Sequence, residues 1–300
     1  MRRWSFRRRQ FFTLLALSIV PLAVMLGTFL PYSRSFVIQQ ATMQLETVAD
    51  LKTAQVQQWF DRGRELALLV AVQRPIRHKL PLLLDPSDVE SGALARADLY
   101  VELGAISAIF PGVRSVSLLH PVDGQVLLST DRVQEGRMRG KEDYFLAGRQ
   151  TLYVSPVTYS VGRESPILVV SVPLLDEDRR LLAVVAVEMD LADLGTKLDH
   201  RAGLGESGQA YLVEGYGFYV TLPPKVKGSP LRTIARSKGV SRALAGQDGS
   251  DTYLDPGDHR VLGVYRWLPE VQLGLLVEME ESELTARIMR TWVLIIVVSL

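Results

Sequence analysis

The sequence predicts an α+β protein in which two antiparallel-sheet modules lie on one long N-terminal helix, flanked by transmembrane helices. Three observations support this fold class. An uncharged apolar run occupies residues 11–30, and a proline-free helical pattern follows it from residue 33 to about residue 73. Alternating strand patterns separated by turn residues fill most of the remaining chain, and apolar residues return at 291–300.

The first predicted element is a membrane helix at Phe11–Leu30, which contains no charged residue. About 20 apolar residues at 1.5 Å per residue match the hydrocarbon thickness of a bilayer. Five arginines precede this run, and arginine-rich flanks stay on the cytoplasmic side of a first membrane helix. Residues 1–10 are therefore predicted to be a cytoplasmic tail. A cleaved signal peptide is the alternative, although its apolar core would span only roughly 7–15 residues.

The chain ends in a second apolar segment, Thr291–Leu300, which is too short to span a bilayer. We interpret residues 285–300 as a helix that enters a second, truncated membrane segment, with Trp292 at the interface. A buried C-terminal helix is the alternative. The membrane interpretation places residues 31–290 in the periplasm or outside the cell, on a bacterial inner (plasma) membrane, and makes the chain a fragment.

Composition excludes several functional classes. The formal net charge is +1 and the basic excess lies at the N-terminus, so no basic face for nucleic acid is expected. The absence of cysteine excludes disulfides and thiolate chemistry. The four histidines are scattered without metal-ligand spacing, so neither a metal site nor a cofactor is predicted.

A long stalk helix is predicted over residues 33–75, because Leu45, Trp59 and Leu66 recur at helical spacing. A membrane-distal module follows at 76–195. Its predicted elements are a helix near 87–110, a hairpin across Asp123-Gly124, a short helix near 142–148, strands at 152–159, 167–174 and 181–190, and a helix at 191–201.

The second half, a membrane-proximal module at residues 196–284, repeats the first in shorter form. Strands at 209–213 and 218–221 are predicted to pair as a hairpin. The closing segments, 171–194 and 264–284, each contain a strand, a polar turn, an apolar strand ending in Val-Glu-Met, and a helix start. We interpret this similarity as a repeated α+β unit mounted on one helix.

Four segments are characteristic of a known family: Leu45–Trp59 as a first helix, Asp143–Ala147 as an aromatic helix over a pocket, Gly203–Val213 as the start of a proximal module, and Tyr265–Glu278 as its closing strands. With them the chain resembles the double Cache sensor domains of bacterial transmembrane receptors, from Arg34 to Leu284. That resemblance implies two PAS-like modules on the long helix, between two membrane helices.

The resemblance also implies a function, which is sensing of a small extracytoplasmic ligand and signalling across the bilayer, by a homodimer packed along the first helix. We favour the sensor part of a two-component histidine kinase, with a diguanylate cyclase or a methyl-accepting chemoreceptor as the alternative. A membrane-tethered periplasmic enzyme or a structural anchor is the alternative of another class. Enzyme activity stays open, because residues 1–300 show no catalytic set and a kinase domain would follow Leu300.

The resemblance places a ligand site in the distal module. Family members that bind amino acids hold the carboxylate with an arginine before paired aromatics, and the amine with a later aspartate. Here Glu142 and Asp143 crowd the position of the cation, and residues 154–160 contain no acid. A carboxylate or another small ligand is therefore expected rather than an amino acid, and the alternative is that the aromatics fill the core. The expected ligand-binding residues are Arg139, Lys141, Tyr144, Phe145, Tyr153 and Tyr159.

Two further motifs have structural explanations. Gly203-x-Gly205-x-x-Gly208 matches a dinucleotide-binding string, but a helix precedes it and a strand follows, the reverse of the required context. A turn into the second sheet is expected there instead. The acidic segment 248–258 offers oxygen ligands for calcium but lacks EF-hand spacing, so a solvated hairpin loop is expected.

Overall fold

The computed structural model of the protein describes residues 6–84, 88–160, 164–200 and 203–286. Up to residue 34 the description is largely of the backbone. Within these ranges we number six α-helices, α1–α6, and ten strands, β1–β10, in chain order, and residues 281–286 form a further helical segment.

Helix α1 runs from Phe6 to Val72 and contains 67 residues. At 1.5 Å per residue it is about 100 Å long. Its buried side chains, which include Leu45, Trp59 and Leu66, recur at the predicted helical spacing and face a common core. The predicted long N-terminal helix is therefore confirmed. Helices α2 (Arg74–Leu84) and α3 (Val89–Ala108) fold back beside it.

The first sheet is antiparallel, and its strands follow the order β2-β1-β6-β5-β3, with β4 also paired to β5. A 3₁₀ turn at Arg132–Gln134 and the short helix α4 lie between β2 and β3. The bounds of these elements are β1 Val113–Leu119, β2 Val126–Ser129, α4 Asp143–Gly148, β3 Tyr153–Val154, β4 Thr158–Ser160, β5 Ser165–Leu175 and β6 Leu181–Asp190.

The second sheet is also antiparallel, in the order β7-β10-β9-β8. Helix α5 (Leu191–Leu198) precedes this sheet and residues 281–286 continue from it as a helix. The remaining elements are β7 Gln209–Glu214, α6 Lys238–Leu244, β8 Gly249–Leu254, β9 Arg260–Leu268 and β10 Leu273–Glu280.

The strand expected at 218–221 is reduced to isolated bridges, from Val213 to Tyr219 and from Phe218 to Ile234. The backbone N–H of Tyr219 donates to Thr233 O at 2.9 Å, so this segment lies between β7 and the chain near residue 233. A regular two-stranded hairpin with β7 is therefore not formed.

One continuous apolar core joins α1 to the inner faces of both sheets. The opposite, outer face of each sheet carries a smaller separate cluster, built around Phe145 on the first sheet and around Tyr211, Tyr219 and Tyr253 on the second. These two outer faces are the places where α1 does not fill the space against the sheet.

No helix formed by the described residues is both long and apolar enough to cross a membrane. The membrane segment predicted at 11–30 lies within the helical backbone of α1. Residues 287–300, which hold most of the second predicted membrane segment, lie outside the described residues.

Candidate ligand-binding site

A cavity of about 490 Å³ lies on the outer face of the first sheet, between strands β4–β6, the loop at 133–139 and the start of α4. A narrower extension of about 30 Å³ reaches β1 and shares Arg139, Tyr144 and Glu188 with the main cavity. A volume of this size suits a small molecule, because ligand pockets occupy roughly 300–1,000 Å³.

Small and polar side chains of the sheet make the inner wall of the cavity. Ser115 pairs with Glu188 and Ser117 pairs with Ala186 in the β1–β6 register, and Val169 of β5 pairs with Glu188 from the other side. Because residues two apart in a strand share a face, all five side chains lie on the same side of the sheet. The two serines and the alanine line the narrow extension of about 30 Å³, whereas Val169 and Glu188 also line the main cavity.

The loop that carries Arg139 is attached to the first hairpin. The backbone N–H of Arg139 donates to Gly124 O at 2.9 Å, which fixes the residue beside the hairpin turn. Its guanidinium donates to Gln134 Oε1 at 2.9 Å and lies 3.7 Å from Glu142 Oε1. The guanidinium therefore lies in the cavity wall while its outer part remains accessible to solvent.

Helix α4 forms one edge of the cavity through Tyr144. The Ser171 hydroxyl donates to Tyr144 O at 2.6 Å and ties the helix to β5. Burial raises the pKa of Tyr144 to about 12, so its hydroxyl stays neutral at physiological pH and is available for hydrogen bonding.

The next residue, Phe145, has a different position from the one expected of a ligand contact. Its side chain is 1% exposed and packs with Leu119, Val126 and Val184 in the small outer cluster. Consecutive residues of a helix point about 100° apart. Tyr144 can therefore face the cavity only if Phe145 turns towards the core.

The other three predicted residues do not line this cavity. Lys141 is exposed and does not line the cavity. Tyr159 alternates with the cavity-lining Thr158 and Ser160 of β4, and its ring lies 4.7 Å from the guanidinium of Arg232 in the second module.

Tyr153 lines a separate cleft of about 540 Å³ between the two modules, together with Phe60 and Trp267. The structure therefore brings together two of the six predicted residues in one cavity.

Sequence reasoning missed Glu188. An acid was sought at 154–160, close to the aromatics in the chain, whereas Glu188 reaches the cavity from β6 through strand pairing. The available signal was the Val-Glu-Met sequence, in which an acid interrupts an apolar strand. The cavity wall therefore carries the guanidinium groups of Arg137 and Arg139 and the carboxylates of Glu142, Asp143 and Glu188, and of these acids only Glu188 comes from the sheet.

Two α+β modules packed on one long helix, with a charged cavity on the outer face of the first sheet, are the arrangement of a ligand-sensing domain. The chain belongs to the Cache domain family, since the dCache_1 family model, described as Cache domain, matches residues 33–288. The predicted resemblance is thereby confirmed. None of the curated proteins matches the chain.

Solved structures share the fold. The ligand-binding domain of the Pseudomonas aeruginosa PAO1 amino acid chemoreceptor PctC in complex with GABA has 22% identity and a TM-score of 0.54, and covers 79% of this chain and 98% of its own. The sensor domain of the V. cholerae histidine kinase DctB has 13% identity and a TM-score of 0.58, covering 83% and 99%. The Campylobacter jejuni chemoreceptor Tlp3 domain in complex with L-norvaline has 11% identity and a TM-score of 0.57, covering 85% and 96%.

Proposed function

We propose that the chain is the extracytoplasmic sensor part of a transmembrane receptor, and that its distal module binds a small molecule with both a carboxylate and an amine. One observation carries the proposal, which is that Arg139 and Glu188 line the same cavity. A guanidinium binds a carboxylate through two parallel hydrogen bonds, and a carboxylate accepts hydrogen bonds from an ammonium group. The neutral Tyr144 hydroxyl adds a third polar contact in the same wall.

This ligand class differs from the carboxylate without an amine anchor that the sequence suggested, because Glu188 supplies the missing acid. GABA and L-norvaline, which the neighbouring PctC and Tlp3 domains bind, both carry a carboxylate and an amine. Their fold supports the proposal, while Arg139 and Glu188 give it a chemical basis in this chain.

For the receptor as a whole we favour a histidine kinase, with a chemoreceptor as the alternative, since sensor domains of both kinds share the fold. The membrane anchors at 11–30 and 285–300, module bounds at 76–195 and 196–284, and a homodimer along α1 belong to this proposal. Ligand binding between α4 and the first sheet favours one position of β5 and β6 on α1, and that bias is transmitted towards the membrane.

The test is isothermal titration calorimetry of the purified chain in detergent with GABA, the common amino acids, and butyrate, which is GABA without its amine. We expect at least one amino compound to bind and butyrate to bind far more weakly. Arg139→Gln and Glu188→Gln should each weaken binding at least about 30-fold, because removing one partner of a desolvated charge pair costs about 2–5 kcal/mol. Only Glu188→Gln should reduce the preference for GABA over butyrate.

Arg180→Gln and Glu177→Gln provide matched controls, since both residues lie in the exposed β5–β6 turn outside the cavity. Neither should change the affinity. Equal binding of GABA and butyrate, or full binding by both cavity variants, would reject the proposal.

A further inference from the structure

The second sheet contains a buried carboxylate that is not part of the distal ligand site. Glu278 of β10 is 0% exposed. Its Oε1 accepts hydrogen bonds from the Tyr211 and Tyr253 hydroxyls, each at 2.9 Å, and its Oε2 accepts one from Gln209 Nε2 at 3.0 Å. All three donors are neutral, and among the described residues no lysine, arginine or histidine forms an ion pair with Glu278.

Glu278 occupies the same place in its module as Glu188 does in the first, within the repeated Val-Glu-Met sequence at the end of the last strand. In the first module this outer face holds the cavity. In the second module the corresponding space is filled by Tyr211, Tyr219 and Tyr253. Both modules therefore have a glutamate at this position, but in the second module the tyrosine side chains separate it from solvent.

Two glycines leave the space through which Tyr253 reaches Glu278. Gly263 pairs with Glu278 in the β9–β10 register, and a Cβ on Gly263 would lie 2.1 Å from the Tyr253 hydroxyl oxygen. A Cβ on Gly239 of α6 would lie 2.2 Å from the same oxygen. The contact between Tyr253 and Glu278 therefore depends on three separate backbone segments.

The surroundings of Glu278 hold acceptors that lack a donor. Within the described part of the chain, the Tyr219 hydroxyl and Gln209 Oε1 are buried and have no hydrogen-bond partner. Rotation of the Gln209 amide by 180° would exchange its N–H donor for its oxygen, which could then accept a hydrogen bond from a protonated Glu278. The cluster therefore offers hydrogen bonds to both the ionised and the protonated carboxyl group.

We propose that Glu278 is a proton-binding site through which the proximal module responds to acid pH, independently of the distal ligand. The titratable groups that face it are Tyr211 from β7, Tyr253 from β8, Tyr219 from the bridging segment and Asp255 from the loop after β8. Each is neutral or negative, so none of them compensates a buried negative charge.

Burial raises the pKa of Glu278, and the hydrogen bonds from Gln209, Tyr211 and Tyr253 oppose that rise. When the pKa of a carboxyl group is higher in the folded than in the unfolded chain, its protonated form stabilises the fold, and this contribution is complete at any pH below the unfolded pKa. That stabilisation is lost as the pH rises through the folded pKa. Strand β10 continues into the helix at 281–286. The loss of stability at Glu278 therefore affects the strand that leads directly into this helix.

The test compares thermal unfolding of the full chain in detergent with that of Glu278→Gln between about pH 5 and pH 8. Glutamine keeps the size of the protonated side chain and carries no charge. We expect the melting temperature of the unaltered chain to fall with rising pH. The variant should melt higher than the unaltered chain at about pH 8 and show a weaker pH dependence, since each unit of pKa displacement is a tenfold change in the unfolding constant.

Glu280→Gln is the matched control, two residues further along the chain. The ion pair with Lys225 lowers the pKa of Glu280, so this substitution should lower the melting temperature at about pH 8 and leave the dependence due to Glu278 intact. A Glu278→Gln variant that is less stable at about pH 8, with an unchanged pH dependence, would overturn the proposal.

Infrared difference spectroscopy provides a second measurement that does not need Glu278→Gln to fold. A protonated carboxyl band should disappear as the pH rises, and Tyr253→Phe, which removes one donor to the ionised form, should move that change to higher pH. An identical titration in the unaltered chain and in Tyr253→Phe would also overturn the proposal.

Discussion

Gly263→Ala should destabilise the second module by about 2–6 kcal/mol. A Cβ at this position would lie 2.1 Å from the Tyr253 hydroxyl oxygen, 2.5 Å from Cζ and 2.8 Å from Cε1, distances that side chains do not tolerate. The tyrosine ring must move, which costs about 1–3 kcal/mol of packing. Its hydrogen bond to Glu278 is then lost, and a bond to a carboxyl group is worth about 1–3 kcal/mol.

Denaturant-induced unfolding of the purified chain measures this change as a shift in midpoint. Gly104→Ala is the matched control, because that glycine lies within α3 and a Cβ there meets no atom within 4 Å. Alanine replaces glycine in an open helix position with a gain of about 1 kcal/mol. Replacing glycine by alanine should therefore lower the free energy of unfolding at residue 263 and raise it at residue 104.

The double variant Gly263→Ala/Tyr253→Phe tests the cause. If the alanine acts by displacing Tyr253, both single variants remove the same hydrogen bond, and the double variant should cost clearly less than the two changes added together. Additive costs, or a Gly263→Ala variant within about 0.5 kcal/mol of the unaltered chain, would refute this explanation.

Three further predictions concern other contacts. Gly148→Ala should destabilise the chain by about 1–3 kcal/mol in urea unfolding, because its Cβ would lie 2.5 Å from Ser171 Oγ; unchanged stability would contradict the close packing of α4 on β5. Asp251→Asn should cost no more than about 1 kcal/mol near neutral pH, since the ion pair with Lys238 is partly exposed. That ion pair lowers the pKa of Asp251, so its stabilisation is present above the unfolded pKa and is lost as the pH falls through the folded pKa; a cost that persists in strong acid would contradict it. Arg232→Ala should cost about 0.5–1 kcal/mol by removing the guanidinium over the tyrosine ring of β4, and an unchanged unfolding midpoint would show that this contact contributes nothing.

Much of the fold was predictable because its signals are local. The strand predicted at 181–190 is observed as Leu181–Asp190, and the helix predicted near 87–110 is observed as Val89–Ala108. In both, the hydrophobic period and the flanking polar residues indicate the same element. The strand prediction at 218–221 was wrong because the partners of this segment come from β7 and from residues near 233. A local hydrophobic period does not indicate which distant segments will pair.

The site was less predictable for the same physical reason. Arg139 and Tyr144 lie close together in the chain, and a short motif was enough to find them. Glu188 enters the cavity only because β6 pairs with β1 and β5 in one particular register. In the sequence motif, Phe145 looked equivalent to Tyr144. Consecutive residues of a helix point about 100° apart, so the two side chains lie in different environments.

The continuity of α1 fixes the azimuth of one sheet relative to the other. Asp50 bonds Arg266 of the second sheet, while Gly63 lies against Met189 of the first, and both residues belong to a single uninterrupted rod. One residue inserted between them would turn the two halves about 100° out of phase, whereas seven would nearly restore their bearing. The number of residues between Asp50 and Gly63 therefore determines how far the two sheets are rotated from each other about the axis of α1.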